Sequence, residues 1–597
     1  MVRMAAPSVY AGRTGGSGSY TMKRRQTMNR RRGIRGFAAV GAFMAALAAG
    51  VLPIGAMAGT DVTTYHGDNS RTGWNNTETQ LTPGEVGGKS FGLLRSLELD
   101  DQVDAQPLVV SDQPIEGRTA ISDVVYVVTE ANSVYAFDPN SGEQLLRVNL
   151  GAPVPRDLLP GGCLNNGHTI GIASTPVIDV QRETMYVVAY TLENGAPTYR
   201  LHALNLRNLR DRVPAAEVKS VVNASVNDPV RFEAASNRQR AGLVLANGNV
   251  YAAFASFCDL KTSSSRGWVM GWQKDTLKPM PSRPLIDRKA AHNEAWFMSS
   301  IWMSGAAPSV DQFGRLYVVT GNRILGPTGA PPGEREMSES AAAISGDLRY
   351  VSEYFTPHDR DALDEADQDF GSGGILALPD QEGPVPHLAT AAGKDGNLYL
   401  LDRDHMGGFT PNGPDKVVGK YPIGGCFCTQ SYFIGKDSAP RLVTSGGEHL
   451  MVWKIATSPD TVRLEREVVS RPIVSGQFPG FMTSVSSNGL ENAVIWAVSH
   501  PPNDGPKTVT LHAFDATSAE KLFSHPAGNW PNFDGTANVV PVVANGKVFV
   551  AAYRSLSIFG LRVPSKNLVS IAPDKSPAVS LPPVAGADDE QVAKAGN

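Results

Sequence analysis

The chain of 597 residues has few charges, few cysteines and almost no helical periodicity, and each shortage excludes a class of protein. Charged residues make up 19% of the sequence and the formal net charge is -4, so no basic stripe of the kind that binds nucleic acid is present. No C-x-x-C-H, H-E-x-x-H, phosphate-binding glycine loop or Ser/His/Asp order occurs. The sequence therefore predicts no attached c-type haem, zinc protease site, nucleotide-binding loop or catalytic triad.

The N-terminal segment 1–58 has the order of a secretory signal peptide. Basic residues at 23–35 precede an apolar run at 37–54, and AMA at 56–58 offers an A-x-A cleavage site. The arginine run also suits a twin-arginine signal, and translation from an internal methionine is an alternative start. An uncleaved membrane anchor is the competing interpretation. We expect a periplasmic or secreted protein with no membrane span after cleavage.

Short strands fill the chain from 59 to 563. They are rich in Val, Ile and Tyr and are bounded by Gly, Pro, Asn and Asp, which is typical of all-β proteins. From 564 to 597 the chain is rich in Pro, Ala and charge without any period, so we predict a disordered tail there.

A strand unit recurs eight times in the middle of the chain. Its first strands are AQPLVV from Ala105, STPVID from Ser174, AGLVLA from Ala241, APSVD from Ala307, GGILAL from Gly373, SYFIG from Ser431, MTSVSS from Met482 and VVPVVA from Val539. A second apolar strand follows each, and usually a third. Such self-similarity indicates a radial array. We predict an all-β, eight-bladed β-propeller of four-stranded antiparallel blades, rather than a long solenoid, whose turns are shorter.

The last unit is short by one strand. The segment FGLLRSLEL near Phe91 has strand character and precedes the first unit. We expect it to complete the last blade and close the ring, because closure hides two open sheet edges.

The repeat resembles a known family. AFDPNSGEQLL at Ala136 and HAFDATSAEKLF at His512 resemble the ALDAxTGxxLW signature of pyrroloquinoline-quinone (PQQ) repeats, and the resemblance extends from about Tyr65 to Leu561. Such blades occur in quinoprotein alcohol dehydrogenases and in non-enzymatic outer-membrane assembly lipoproteins. The repeat by itself therefore does not decide function.

Four local segments resemble the quinoprotein dehydrogenases more specifically. SIWMSGAAPSVDQFGRLYVVTGN resembles the family's VWG…LVYFGTGN, which implies that Trp302 stacks on the quinone and that Asn322 gives an amide oxygen to calcium. AFASFCDLKTSSSRGWVMGWQ resembles the loop with the family's calcium carboxylate, which implies that role for Asp259. An aromatic face suits a planar cofactor, and oxygen ligands suit a hard cation.

The other two segments concern the reaction. PPGEREMSESAAAIS resembles PGDN…SSIVAL, whose aspartate takes the substrate proton, so the resemblance implies Glu334 or Glu339 as the base. GKDGNLYLLDRD resembles KNGFFYVLDR, whose lysine contacts the quinone carbonyls, so Lys394 takes that position. Its charge would favour the negative charge that develops on the quinone. Inter-blade packing, turn formation and solvated loop charge are the ordinary structural alternatives for these residues.

Four cysteines in an exported chain indicate two disulfides, and three pairings are open. Many family members carry adjacent cysteines over the cofactor. This chain has Cys163 alone near that place, so the resemblance implies a cofactor-facing role for it. We expect Cys163 and Cys258 each to reach another loop at the channel mouth. A copper or zinc site at Cys426 and Cys428 is an alternative.

The expected function is an exported, PQQ- and calcium-dependent dehydrogenase of an alcohol, polyol or sugar. It would need a separate electron acceptor, because no haem is attached. The rival hypothesis is a cofactor-free propeller that binds an envelope protein or glycan, motivated by repeats that have lost their final Trp. A hydrolase or lyase is a third hypothesis, and His66, His168 and His292 are further candidates for the mouth.

Overall fold

A computed structural model describes residues 59–163, 167–225, 228–259, 265–284, 299–323, 337–473, 476, 478–502, 505–532 and 537–562. The predicted leader (1–58), the predicted tail (564–597), Glu334 and His292 lie outside these residues. The described residues belong to one compact unit. Among them, no helix is long and apolar enough to cross a membrane.

Eight sheets of four or five strands make up this unit, together with two two-stranded hairpins. Blade 1 contains Leu108–Pro114, Ile121–Val128, Ser133–Phe137 and Gln144–Asn149, and blade 2 contains Val177–Asp179, Thr184–Glu193, Ala196–Asn205 and Ala216–Glu217. Blade 3 contains Val244–Ala246, Asn249–Ser256, Trp268–Gln273 and Arg283–Pro284, and blade 4 contains Ser309–Val310, Leu316–Val319, Ala341–Ile344 and Val351–Thr356. Blade 5 contains Ile375–Ala377, Leu388–Ala392, Asn397–Asp402 and Gly419–Pro422, and blade 6 contains Ser431–Ile434, Pro440–Thr444, Met451–Thr457 and Val462–Val469. Blade 7 contains Met482–Asn488, Glu491–Ser499, Thr508–Asp515 and Lys521–Asn529, and blade 8 contains Val542–Ala544, Lys547–Ala552, Ser555–Leu561 and Phe91–Glu98. The predicted eight-bladed propeller is confirmed.

The remaining elements are short. Three small strands extend blades: Asn237–Arg238 in blade 3, Gly408–Phe409 in blade 4 and Trp74–Asn75 in blade 7. The hairpins are Val154–Pro155 with Thr169–Ile170 and Val221–Ser225 with Asp228–Arg231. The helical segments are Pro83–Val86, Arg156–Leu158, Pro160–Gly162, Val180–Arg182, Met303–Gly305, Arg360–Glu365 and Phe370–Ser372.

Blade 2 shows why the strands are apolar without alternation. In its second strand, Thr184–Glu193, Met185 and Val187 face the core shared with blade 1, whereas Tyr186 and Val188 face the core shared with blade 3. Successive side chains of a strand point to opposite faces, and here each face is covered by a neighbouring blade. Both sets of positions must therefore be apolar.

The ring closes between the two ends of the propeller. Phe91–Glu98 pairs antiparallel with Ser555–Leu561, with Phe91 opposite Leu561. The closing strand predicted from FGLLRSLEL is confirmed, and it supplies the fourth strand of blade 8 from the segment that leads into blade 1.

An extended segment, residues 62–75, runs around the inside of the propeller, and we call it the inner ring. It is hydrogen-bonded to the backbone of the first strand of each blade, in chain order, through its own backbone for six blades and through an asparagine side chain for blades 3 and 8. The contacts of blades 1 to 4 are Val62 N to Val109 O at 2.8 Å, Ile178 N to Thr63 O at 2.8 Å, Asn69 Nδ2 to Leu245 O at 3.0 Å and Val310 N to Asn69 O at 2.7 Å. Those of blades 5 to 8 are Ala377 N to Ser70 O at 3.2 Å, Tyr432 N to Thr72 O at 2.8 Å, Val485 N to Gly73 O at 2.7 Å and Asn75 Nδ2 to Val543 O at 3.0 Å. The inner ring therefore occupies the channel between the first strands.

Candidate functional site

The loops that join consecutive blades lie at the same end of the channel as the loops between second and third strands, and we call this end the mouth. Backbone hydrogen bonds tie the two kinds of loop together: Lys394 N donates to Asp369 O at 3.0 Å, and Gly321 N donates to Ser300 O at 3.0 Å. These loops carry six of the predicted residues: Cys163, Asp259, Trp302, Asn322, Glu339 and Lys394. Concave loop clusters of this kind are the usual location of ligand sites.

A lysine with two carboxylate partners lies on one side of the mouth. Lys394 Nζ is 2.6 Å from Asp369 Oδ2 and 3.2 Å from Asp367 Oδ2. Asn322 joins the same group, because its backbone N–H donates to Asp369 Oδ1 at 2.9 Å and its Nδ2 donates to Asp367 Oδ1 at 3.0 Å. Burial opposes the charged ammonium, but Asp369 and Asp367 together raise the pKa of Lys394. The lysine therefore stays charged.

Asp259 and Trp302 share a contact with one serine of blade 3. Ser256 Oγ donates to Asp259 Oδ1 at 2.7 Å, and Trp302 Nε1 donates to Ser256 O at 3.1 Å. Burial, followed by repulsion from Asp369, raises the pKa of Asp259 to about 7. This carboxyl therefore changes charge near neutral pH, which is common at functional sites.

A glycine allows the indole and a carboxylate to meet. A Cβ atom at Gly321 would lie 2.6 Å from Asp369 Oδ1 and 2.6 Å from Trp302 Cζ3. Both distances are far below van der Waals contact, so no other residue fits without movement of the site. Gly321 of the VVTGN segment thus sets the close approach of Trp302 to Asp369.

Glu339 is fully buried beneath the same group. Its Oε2 accepts a hydrogen bond from Phe370 N, and its Oε1 has no hydrogen-bond partner among the described residues. Burial, followed by repulsion from Asp369 and Asp364, raises the pKa of Glu339 well above its ordinary value. The neutral acid is therefore its favoured form.

The Asp367–Asp369 segment is supported by a short helix, Arg360–Glu365. Arg323, which follows Asn322, donates from its backbone N to Asp364 Oδ1 at 3.0 Å and from its Nε to Asp364 Oδ2 at 3.1 Å. This buried pair holds the acidic loop against blade 4.

Two disulfides lie at the mouth. Cys163 pairs with Cys258, which links the loop between blades 1 and 2 to the turn that carries Asp259, with 5.6 Å between the Cα atoms. Cys426 pairs with Cys428 at a Cα–Cα distance of 4.9 Å. The sulfur atoms of the Cys-Phe-Cys segment are therefore bonded to each other and are not free ligands for copper or zinc. Between them, the ring centroid of Phe427 lies 5.6 Å from Lys394 Nζ.

Sequence reasoning missed Asp367 and Asp369, the two carboxylates at which the predicted residues meet. They belong to DALDEADQD, which reads as an ordinary solvated acidic loop. One signal was available: the segment directly precedes the first strand GGILAL, as Trp302 precedes APSVD. His66 proves to be a buried residue of the inner ring, and His168 is exposed.

The oxygen donors of this group suit a hard cation in kind. Asn322 Oδ1 is buried and has no hydrogen-bond partner among the described residues. Three aspartates, Asp259, Asp367 and Asp369, face a single ammonium, so a further positive charge would relieve their repulsion. Amide and carboxylate oxygens are the ligands calcium prefers. Within the described ranges, no three His, Cys, Asp or Glu side chains are grouped to hold a metal by themselves, so a bound ligand would have to supply further oxygens.

No protein-family model matches the chain, and no curated protein matches it. Among solved structures, a quinohemoprotein alcohol dehydrogenase from Comamonas testosteroni has a TM-score of 0.54 at 13% identity, over 84% of this chain and 81% of that one. A quinohemoprotein alcohol dehydrogenase from Pseudomonas putida HK5 has a TM-score of 0.54 at 14% identity, over 87% and 83%. A europium-containing methanol dehydrogenase has a TM-score of 0.49 at 11% identity, over 84% and 98%. At such identities the first two similarities show the fold alone.

Proposed function

We propose that this chain is an exported oxidoreductase that binds PQQ and calcium at the mouth and oxidises the hydroxyl group of an alcohol, polyol or sugar. The observation that carries the proposal is the meeting of Asp259, Trp302, Asn322 and Lys394 around Asp367 and Asp369. The four residues come from four separate loops of blades 3 to 5. They meet through the fold and not because they are close in sequence.

The residues would divide the work of binding. Trp302 offers a flat indole to a planar quinone, and Asn322 Oδ1 and Asp259 are the proposed calcium ligands. Cys163, in the disulfide beside Asp259, is proposed to cover the cofactor from the other side. When bound, the quinone and calcium would supply a two-electron acceptor and a Lewis acid.

The substrate hydroxyl needs a proton acceptor, and Asp369 suits this role better than the sequence candidate Glu339. Asp369 has Lys394 Nζ at 2.6 Å and the Asn322 backbone N–H at 2.9 Å. Burial raises the pKa of Asp369 more than Lys394 lowers it. The net rise moves the pKa of this carboxylate towards that of a useful base. Glu339 is fully enclosed and favours its neutral form, so it would support Asp369 from below.

Lys394 has two proposed tasks. Its ammonium holds Asp369 in place, and its charge would stabilise negative charge on a ligand in the mouth. The absence of C-x-x-C-H from the sequence means that a separate carrier would take the electrons onward. Disulfides persist in oxidising compartments, which supports a periplasmic or secreted location.

An absorbance titration tests the proposal. Purified, calcium-loaded protein is titrated with PQQ, and a panel of alcohols, polyols and sugars is then added with a dye acceptor. We expect stoichiometric binding and dye reduction by one substrate class.

Asn322→Ala should weaken PQQ binding and raise the calcium concentration that binding requires, whereas Asn249→Ala, at the start of a strand in blade 3, should change neither. Asn249 donates to Asn247 O in an exposed turn and serves as the matched control. No binding of PQQ by folded protein would reject the proposal in favour of the cofactor-free scaffold.

A further inference from the structure

A cavity of about 150 Å³ lies inside the channel, between the inner ring and the first strands of blades 7 and 8. Thr60 and Asp61 form one end of it. Thr60 N donates to Asn545 Oδ1 at 2.7 Å, and Ser111 N donates to Asp61 Oδ1 at 2.7 Å. Asn545 lies in the turn between the first two strands of blade 8, and such turns are at the opposite end of the channel from the mouth. We call this cavity the far pocket.

The far pocket opens away from the mouth. On its mouth side lie Gln106 and Val540, which precede the first strands of blades 1 and 8 and are both buried, at 4% exposure. At its other end Thr60 is half-buried and Asp61 is exposed. The pocket shares no residue with the group around Lys394. A ligand would therefore enter it independently of the proposed cofactor site.

The size and the wall of the far pocket suit a compact ligand that is partly apolar. A protein cavity of this volume can hold a molecule of about six non-hydrogen atoms. The wall contains the side chains of Val62, Val485 and Val542 and the half-buried indole of Trp74. These groups would pack against an alkyl body.

The hydrogen-bond donors in the wall are largely used within the protein. Burial lowers the pKa of His66 to about 4, so its ring is neutral, and its Nδ1 lies 3.3 Å from Arg71 O. An anion would therefore find few free donors in the pocket. Four further side-chain donors have protein acceptors: Asn75 Nδ2 to Val543 O at 3.0 Å, Gln106 Nε2 to Thr64 O at 3.1 Å, Trp74 Nε1 to Ser487 Oγ at 2.8 Å and Ser484 Oγ to Pro541 O at 2.8 Å.

Two carboxylates in the wall keep unused acceptor capacity. Asp61 accepts from Ser111 N, and Asp68 accepts from Thr72 N at 3.2 Å and from Thr72 Oγ1. A carboxylate can accept about four hydrogen bonds, and neither of these two is ion-paired among the described residues. Arg71 donates to the backbone oxygen of Asp68 at 2.9 Å, not to its carboxylate. The pocket therefore offers negative charge and free acceptors.

These features favour an organic cation over a metal ion. Within the described ranges, no three His, Cys, Asp or Glu side chains are grouped to hold a metal. A hard cation such as calcium requires six or more oxygen ligands, and the apolar part of the wall provides none. An ammonium group needs only a few acceptors for its three N–H donors, and its charge is attracted to an aromatic ring.

We propose that the far pocket binds a small primary ammonium ion with a compact alkyl body. Its N–H groups donate to the carboxylates of Asp61 and Asp68, and its carbon atoms pack against Trp74 and the valines of blades 7 and 8. This site is additional to the proposed oxidoreductase function and does not depend on it, because the two sites lie at different ends of the channel.

The test compares tert-butylammonium with tert-butanol, two molecules of nearly equal shape of which only the first is charged. Tert-butanol has no hydrogen on its carbinol carbon, so the mouth cannot oxidise it. Both are titrated into the purified full-length protein by isothermal titration calorimetry. Wild-type protein should bind the ammonium ion about 10–100-fold more tightly than the alcohol, the range given by one charge-assisted hydrogen bond.

Two variants locate the binding site. Asp68→Asn should remove most of the preference for the ammonium ion while leaving alcohol binding unchanged. Asp61→Asn should have the same effect, and because Asp61 is exposed this variant reports on the pocket even if Asp68→Asn folds poorly. Equal binding of the two molecules by wild-type protein, or no binding of either, would overturn the proposal.

Two further aspartates serve as matched controls. Asp123 lies at the same end of the channel, where it accepts from Asn545 Nδ2 at 3.0 Å, but it does not line the pocket. Asp123→Asn should leave both affinities unchanged. Asp367→Asn alters the carboxylates of the mouth and should also leave them unchanged. Loss of ammonium binding in Asp367→Asn but not in Asp61→Asn would assign the ion to the mouth and reject the far pocket.

The melting temperature gives a second readout. A ligand that binds only the folded chain stabilises it, so tert-butylammonium chloride should raise the melting temperature of wild-type protein and not that of Asp61→Asn. Calcium chloride is the comparison. Stabilisation by calcium alone, lost in Asp61→Asn, would reject the ammonium site in favour of a metal site.

Discussion

The mouth and the inner ring share one channel, yet their buried charged groups contact different partners. In the inner ring, where only Arg71 Nη2 lacks a hydrogen-bond partner among the described residues, these partners are mainly backbone carbonyl groups, whereas at the mouth they are other charged groups. In the inner ring, Arg71 donates from Nε to Pro308 O at 3.0 Å and from Nη1 to Tyr65 O at 3.0 Å, and burial lowers the pKa of His66 to about 4, so its ring is neutral. At the mouth, carboxyl groups crowd one lysine, and Asn322 Oδ1 and Glu339 Oε1 lack partners within the described structure.

The difference teaches where function can reside. Polar groups that hold a shape are bonded to the backbone, because an unsatisfied buried group costs about 1–3 kcal/mol. Polar groups at the mouth that lack hydrogen-bond partners lower the stability of the fold, and a ligand that supplies those partners can restore it on binding. Four predictions test this contrast, beginning with the largest effect.

Lys394→Met should lower the rate of substrate oxidation about 100–1000-fold, the cost of removing one preorganised charge from an active site. The ammonium also lowers the pKa of Asp369 and of Asp259, so the pH optimum should rise. Steady-state dye reduction across pH measures both effects. Lys420→Met, which removes a lysine 4.8 Å from the Tyr399 ring in blade 5, should leave the rate unchanged. A fully active Lys394→Met enzyme would place the chemistry elsewhere.

Arg71→Met should lower the free energy of unfolding by about 3 kcal/mol, because several buried carbonyl groups lose their donor. The side chain spans Pro308 O, Thr64 Oγ1, Tyr65 O and Asp68 O. Urea denaturation gives the value. Arg95→Met is the control, since Arg95 is exposed and its Nε donates to Asn140 O at the surface, and it should change stability by no more than about 0.5 kcal/mol. Equal effects would mean that the inner ring is dispensable for stability.

Gly67→Ala should lower the free energy of unfolding by about 1 kcal/mol, because alanine is strained in a left-handed backbone conformation. Gly73→Ala should lower it by about 2 kcal/mol, because crowding adds to the same strain. Both glycines have positive φ, 64° and 80°. A Cβ on Gly73 would lie 2.9 Å from His66 Nδ1, whereas one on Gly67 would have nothing within 4 Å. Thermal denaturation compares the two variants. A smaller loss for Gly73→Ala than for Gly67→Ala would contradict the close packing of the inner ring.

His66→Asn should reduce the acid sensitivity of folding. The folded pKa of about 4 lies below the unfolded value of about 6.5, so only the unfolded chain binds the proton between them. Stability is therefore full above pH 6.5 and falls as the pH drops towards 4. The variant should lessen this slope by up to about 1.4 kcal/mol per pH unit, because asparagine does not take up a proton in this pH range. Asparagine also tolerates the positive φ of 53° at this position, so the variant should fold. Urea titrations at several pH values report it.

Part of that acid sensitivity should remain in His66→Asn. Burial also lowers the pKa of His500 and of His512 to about 4. An unchanged slope in the variant would show that His66 titrates normally in the folded protein.

The propeller was predictable because its signals are local and repeated. Strands such as STPVID and the closing strand Phe91–Glu98 carry apolar residues and turn residues within a few positions of one another. The inner ring was not predictable in this way, since TTYHGDNSRTGWN has no period and its partners lie from Val109 to Val543.

The candidate site was predictable in part. Trp302, Asn322, Asp259 and Lys394 were found through resemblance, and the structure brings them to one side of the mouth. Asp369 was missed because the sequence of a polar loop does not indicate whether its carboxylate faces solvent or a lysine.

The amino-acid sequence by itself determined the strands of the blades, the number of blades and their order, since hydrophobic period and turn chemistry act over a few residues. Only the tertiary structure decided which charges meet. Asp259, Asp369 and Lys394 are separated by up to 135 positions in the chain, and their protonation depends on burial and on distances across loops. Those quantities exist only once the ring has closed.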